Sequence, residues 1–130
     1  TSAQWDTLAA YMQPMDIAAG RILIAQGAED RTLYFVESGM LTVHFEDSTG
    51  KIRLAAVGAG SVIGEGGFFS RMARSATVQA GSACRLWTLS PMRFSELANR
   101  QPTVALALAM ALGAIMARRM VSNRRKIAIT

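Results

Sequence analysis

From Met15 to Leu89 the chain is cut by glycine into short apolar runs. Gly20, Gly27, Gly39, Gly50, Gly58, Gly60, Gly64 and Gly81 stand roughly 7 to 17 residues apart, counting the close group at 58–64 as one mark. Runs of that length are too short for helices of ordinary size, and they suit strands joined by tight turns. The clearest strand is Leu41-Thr42-Val43-His44-Phe45-Glu46, which alternates strictly. Leu41, Val43 and Phe45 are expected on one face, with Thr42, His44 and Glu46 turned to solvent. Asp47-Ser48-Thr49-Gly50 is a hairpin turn, and Ile52, Leu54 and Ala56 form the return face. Further strands are expected at Ala76–Ala80 and Cys84–Leu89.

The two ends of the chain carry a different period. Trp5, Leu8, Ala9 and Met12 follow the helical i, i+3, i+4, i+7 spacing, so a short helix is expected over 1–14, stopped by Pro14. After Ser90 the spacing is helical again. Ser90 is an N-cap candidate with Pro91 at the first helical position. A second helix is expected to start near Pro102. Its stretch from Val104 to Ala117 holds no charged residue. It is too short to span a bilayer and is apolar all round, so it is expected to bury more than one side. One side can pack on the strands; the other calls for a second copy, a fused effector domain or a ligand. The expectation is one domain over 1–130: a helix at 1–14, an antiparallel β jelly roll or barrel at 15–90, and two helices with a basic tail at 91–130.

Composition excludes several classes of function. The chain has 130 residues, 51% apolar and 18% charged, which is globular rather than disordered. Its net charge is +5, but five cations, Arg118, Arg119, Arg124, Arg125 and Lys126, lie in the last thirteen residues without an acid. The body is therefore neutral. The tail reads as a solvated helix end, with nucleic acid, acidic lipid or an acidic partner as alternatives. Cys84 is the only cysteine and His44 the only histidine, which excludes an internal disulfide and thiolate-rich or multi-histidine metal sites. Cys84 is expected to be a buried thiol. The start has no secretory character. A chain without an initiator Met is expected to be a processed product or an excised fragment, and a cytoplasmic setting is the default.

The segment with chemistry runs from Gly64 to Val78. Gly64-Glu65 is followed ten residues after Gly64 by Arg74-Ser75-Ala76. A glycine-rich loop thus offers an anion a guanidinium, a hydroxyl and open backbone N–H groups, and offers a sugar hydroxyl one carboxylate. A guanidinium is a rigid fork that matches phosphate oxygens. A short helix beginning after Glu65 would aim its N-terminal amides at the same anion. Without a ligand, an Arg74–Glu65 salt bridge is the alternative. Glu65 is the only acid in this stretch, which leaves paired-carboxylate hydrolysis without a second partner. His44, facing outward, leaves a Ser-His-Asp triad without its base. The Gly58-Ala59-Gly60 run lacks a parallel-sheet context and reads as a turn. No enzyme is expected.

The chain resembles the cyclic nucleotide-binding domains of the bacterial cyclic-AMP receptor protein family, also present in protein kinase A regulatory subunits and nucleotide-gated channels. Gly20, Gln26-Gly27, Asp30, Leu33-Tyr34-Phe35-Val36, Gly39, Gly50 and Gly60 fall at that family's early strands and turns. Gly64-Glu65 with Arg74-Ser75-Ala76 resembles its phosphate-binding cassette. The resemblance implies that Arg74 pairs with a cyclic phosphate and Glu65 accepts from the ribose 2′-hydroxyl. It implies that Ser75 donates its hydroxyl to the phosphate, with help from the Ser75 and Ala76 amides, and that Gly64 and Gly66 lie against the sugar-phosphate. The last helix would cover the base. The implied ligand is cyclic AMP, with cyclic GMP as the alternative, and no other cofactor is expected. DNA is an expected partner only if a helix-turn-helix follows. A ligand-free structural or dimerisation module with a degenerate cassette is the second reading. Gly66-Gly67 departs from the family pattern, which favours a bulky apolar residue and then a small one; two glycines weaken a helix by roughly 1 kcal/mol each. A looser or shorter cassette helix is expected. Arg74→Leu is expected to remove binding with little effect on the fold.

Overall fold

A computed structural model describes residues 2–47, 50–70, 73–74 and 76–129. Side chains of residues 2, 46–47, 51–54, 116 and 119–129 lie outside the description. The described residues form eight strands and four helices, in the order α1 (Ser2–Ala9), β1 (Gln13–Ile17), β2 (Ile22–Ile24), β3 (Leu33–Ser38), β4 (Leu41–Asp47), β5 (Gly50–Val57), β6 (Val62–Ile63), α2 (Glu65–Phe69), β7 (Thr77–Ala80), β8 (Cys84–Leu89), α3 (Pro91–Arg100) and α4 (Pro102–Ile129). The strands form two four-stranded sheets, β1-β8-β3-β6 and β2-β7-β4-β5, with every pairing antiparallel. The jelly roll with flanking helices expected from the sequence is the fold observed.

The core between the sheets is apolar and assembled from alternate positions. Ile17, Ile24, Tyr34, Val36, Leu41, Ile63, Val78, Ala80, Cys84 and Leu86 are buried together. Cys84 is a free buried thiol, as its apolar run predicts. On β8, Arg85 and Trp87 turn away from that core. Arg85 reaches Asp16 at 3.1 Å and Glu37 at 3.5 Å, and Trp87 Nε1 donates to Glu37 at 3.0 Å. These pairs lie across neighbouring strands on a solvated face and decorate the sheet rather than build it.

A second core joins the roll to the helices. Leu8 of α1, Leu33, Val62 and Leu89 of the first sheet, Phe68 of α2, Leu97 of α3 and Ala105, Leu108 and Leu112 of α4 are buried in one cluster. Ser90 caps α3, its hydroxyl accepting from the Arg93 amide at 3.2 Å, with Pro91 at the first position. Arg93 then donates to the carbonyls of Ala10 and Tyr11 and stacks on the Tyr11 ring. That ties α3 to the chain leaving α1.

Three local expectations are corrected. The first helix ends at Ala9, and Pro14 pairs with Trp87 inside β1. β1 is an edge strand, where a missing N–H is tolerated. Trp5, expected on the apolar face, is 60% exposed, while Leu8 is buried. His44 is buried rather than solvent-facing, at 5% exposure. The register between β4 and β5 shifts between Val43 and His44. The extra residue there lies at position 54 of β5, and β4 keeps an unbroken register with β7, so His44 is covered without a break in its own strand.

Among its described side chains, helix α4 buries one side against the roll. Ala105, Leu108 and Leu112 are buried, whereas Leu106 and Met110 are 64% and 70% exposed. Among the described residues no helix is long and apolar enough to cross a membrane. The cationic side chains at 119 and 124–126 lie outside the description.

Candidate functional site

β6 delivers the chain into the cassette. Val62 and Ile63 are buried, so the chain leaves the first sheet in a fixed direction. Gly64 then turns it with φ +88, a left-handed conformation that glycine adopts without strain. Helix α2 starts at Glu65 and lasts five residues, ending at Phe69. Phe68 anchors it: the ring is buried in the second core and packs edge-on against Phe94 of α3 at 5.2 Å.

The chain returns at Arg74, whose backbone is clamped. Its amide donates to Ala28 O at 2.7 Å, and its carbonyl accepts from the Gly27 amide at 2.8 Å. The side chain turns inward and is 4% exposed. Nη1 donates to Gly64 O at 2.9 Å; Nη2 donates to Thr32 O at 2.6 Å and to Asp30 Oδ2 at 3.1 Å. Nε is buried and makes no hydrogen bond among the described residues. A guanidinium has five N–H donors. Protein oxygens hold both Nη nitrogens, and the buried Nε–H remains for an acceptor. A buried donor left unmet costs about 1–3 kcal/mol, so the arrangement favours an anion or carbonyl arriving there.

Glu65 is buried at 6% exposure and stands at the start of α2. The described ion pair of Arg74 is with Asp30, not Glu65. A second acid therefore stands at the cassette, contrary to the sequence expectation. Asp30 is committed: Oδ1 accepts from the Thr32 amide at 3.0 Å and Oδ2 from Arg74. Burial pushes its carboxyl up, but the hydrogen bonds from the Thr32 amide and side chain, with the hydrogen bond and charge of Arg74, outweigh that and hold it below its ordinary 3.8.

The two glycines after Glu65 differ in purpose. A Cβ on Gly67 would stand 2.6 Å from Arg74 Nη1 and 3.1 Å from Cζ, whereas one on Gly66 would meet nothing within 4 Å. Gly67 makes room for the arginine, which gives the departure from the family pattern a packing reason. The cassette helix is short, as two glycines predict, but its end is held by side chains. Ala76 is half-buried and leads into β7. Ser75 lies outside the described residues. Gly64, Glu65, Gly66, Gly67 and Arg74 are thus brought together. The sequence pattern missed Asp30 and Thr32 as partners of Arg74, 44 and 42 residues away. Asp30 was visible only as a turn residue, and no local signal marks a backbone carbonyl.

The Asp30 linkage has a testable sign. A folded pKa below the ordinary 3.8 means the ionised carboxylate stabilises the fold above that value. The contribution is lost as pH falls through the folded value. Asp30→Asn is expected to lower Tm at pH 6 and to approach wild type as the pH falls through the lowered folded value, below which both side chains are neutral. A Tm difference that stays constant across that range would contradict the linkage.

Comparison with known proteins fits this geometry. Residues 14–101 match the family model of the cyclic nucleotide-binding domain, and the chain belongs to that family. It is 36% identical over 107 residues to the cAMP-activated global transcriptional regulator CRP of Escherichia coli, covering 81% of this chain and 49% of that protein. It is 35% identical over 109 residues to Glutaminase 2 of Bradyrhizobium diazoefficiens, covering 84% of this chain and 17% of that protein. The chain thus spans about half the length of the regulator and a sixth of the glutaminase. The crystal structure of a cyclic nucleotide-binding domain from Methylobacillus flagellatus superposes with TM-score 0.90 at 26% identity, covering 100% of this chain and 74% of that one.

Proposed function

We propose that this domain is a non-catalytic receptor for a 3′,5′-cyclic purine nucleotide, cyclic AMP in the first place, and that it relays occupancy through α4. The observation that carries the reading is the buried Arg74, oriented by Asp30, Thr32 O and Gly64 O with its Nε donor unanswered among the described residues. In the proposed complex Arg74 Nε donates to the cyclic phosphate, and Glu65 accepts from the ribose 2′-hydroxyl. The amides of Ser75 and Ala76 and the Ser75 hydroxyl complete the phosphate site, and the backbones of Gly64 and Gly66 face the sugar. Cyclic AMP is preferred to cyclic GMP because the regulator to which the chain is 36% identical is described as cAMP-activated.

The relay has a physical route. α2 carries Glu65 at one end and Phe68 near the other, and Phe68 packs on Phe94 and into the cluster with Ala105, Leu108 and Leu112 of α4. A ligand that orders α2 therefore bears on α4 through one buried ring. It drives a shift only by binding two α4 positions with different affinity. A cyclic nucleotide of about 22 heavy atoms at roughly 0.3 kcal/mol per atom gives about 7 kcal/mol, the micromolar scale. Titrating the protein with cyclic AMP and cyclic GMP tests the reading: saturable heat near micromolar supports it, and no heat at millimolar leaves a structural module.

The exposed apolar side of α4 favours a second copy or a fused domain as the recipient. Met110 is 70% exposed, so Met110→Glu is expected to leave the monomer folded while reducing self-association. Sedimentation velocity checks this, and an unchanged profile contradicts the contact. Contact with DNA is part of this reading only if a helix-turn-helix segment follows.

A further inference from the structure

The cassette helix is too weak to hold itself. An isolated helix of five residues is far below the length at which helix formation is favourable. Gly66 and Gly67 weaken it by roughly 1 kcal/mol each relative to alanine. Gly67 cannot be exchanged for a better helix former, because Arg74 fills the space its Cβ would take. Something outside the helix must therefore hold it.

Arg31 makes that contact. Its Nε donates to Gly67 O at 3.3 Å and its Nη2 to Phe68 O at 3.2 Å. Helix α2 stops at Phe69, so these carbonyls lie in its last turn, where helical amide partners run out. Gly66 O accepts from the amide and hydroxyl of Ser70. The guanidinium thus completes the carbonyl end of α2, the end that favours a cation. Its neighbours Asp30 and Thr32 hold Arg74. Three consecutive residues of one loop grip the cassette at its helix and at its arginine.

We infer that Arg31 is a positioning residue of the nucleotide site. By bracing the end of α2 it keeps Gly64, Glu65 and the helix amides in the arrangement the ligand needs, without touching the ligand. The inference rests on the cyclic nucleotide reading of the site. It also accounts for the use of a glycine pair in a helix that must stay ordered.

The test pairs Arg31→Ala with a suppressor, using the whole chain and cyclic AMP. Arg31→Ala is expected to weaken binding about tenfold, the scale of losing a charged donor to two carbonyls in the last turn of α2. Without ligand, hydrogen exchange at the Phe68 and Ser70 amides, which donate to Gly64 O and Gly66 O, is expected to accelerate. Adding Gly66→Ala restores helix propensity at a site with open space in the ligand-free protein and is expected to recover the protection measured without ligand. Adding Gly67→Ala instead displaces Arg74 and is expected to recover no affinity. Should the alanine variant fail to fold, Arg31→Lys keeps the charge but not the fork and is expected to bind a few-fold more weakly. Wild-type affinity in Arg31→Ala or Arg31→Lys overturns the inference, and so does a Gly66→Ala suppressor that recovers no protection. A wild type that binds no nucleotide sinks the site reading instead, and the exchange experiment still decides whether Arg31 braces the helix.

Discussion

Arg74→Leu is expected to reduce cyclic AMP binding by at least about a hundredfold, since a charge-assisted contact to a buried anion is worth several kcal/mol when one partner is removed. The sequence alone suggested that the fold would barely notice. The structure argues otherwise. Arg74 is 4% exposed and satisfies the carbonyls of Gly64 and Thr32 as well as Asp30. Leucine leaves both carbonyls short of a donor, at about 1–3 kcal/mol for a buried unmet group. A stability loss of about 2 kcal/mol is therefore expected beside the loss of binding. Calorimetric titration of variant shown folded by circular dichroism separates the two. A folded Arg74→Leu protein with wild-type affinity would remove Arg74 from the site.

Gly64→Ala is the second large effect. Gly64 has φ +88, which costs a residue with a Cβ about 1–2 kcal/mol. The added carbon would also stand 2.7 Å from Arg74 Nη1 and 2.9 Å from Thr32 O. The arginine cannot retreat without losing Asp30 or a carbonyl, so strain at the turn becomes displacement at the site. A fall in Tm of about 10 °C is expected from 2–3 kcal/mol in a domain of this size, with binding weakened about tenfold or more. Gly66→Ala in the wild type is the control for the melting temperature, since its Cβ meets nothing within 4 Å in the ligand-free protein. Equal melting temperatures for the wild type and Gly64→Ala would show that the turn relaxes freely.

What the sequence made legible follows from which interactions are local. Strands β4, β7 and β8 were readable because each is an alternating or apolar run between glycines or polar turns, and the α3 start was readable from Ser90-Pro91. His44 is buried although Leu41 to Glu46 alternates and β4 keeps its register with β7; what covers an outward position is set by the assembled fold and not by its own strand. Pro14 reads as a helix stop because the edge of a sheet, where proline is harmless, is a tertiary property. At the site, Gly64, Glu65 and Arg74 stood out through residue type and spacing. Asp30 did not, because the two chain segments meet only when β2, β3 and β6 are assembled. The role of Gly67 was hidden for the same reason: a glycine that makes room for an arginine looks identical to one that loosens a helix. The face of α4 was half legible, since the absence of charge from Val104 to Ala117 announced burial but not which side the roll would take.

The most direct test is a crystal structure of the protein grown in excess cyclic AMP. The account predicts a cyclic phosphate oxygen within hydrogen-bonding distance of Arg74 Nε, with Asp30 and Thr32 still holding Nη2 and the ribose 2′-hydroxyl on Glu65. A cassette without nucleotide under those conditions, with Arg74 Nε turned to a side chain of the protein itself, would contradict it.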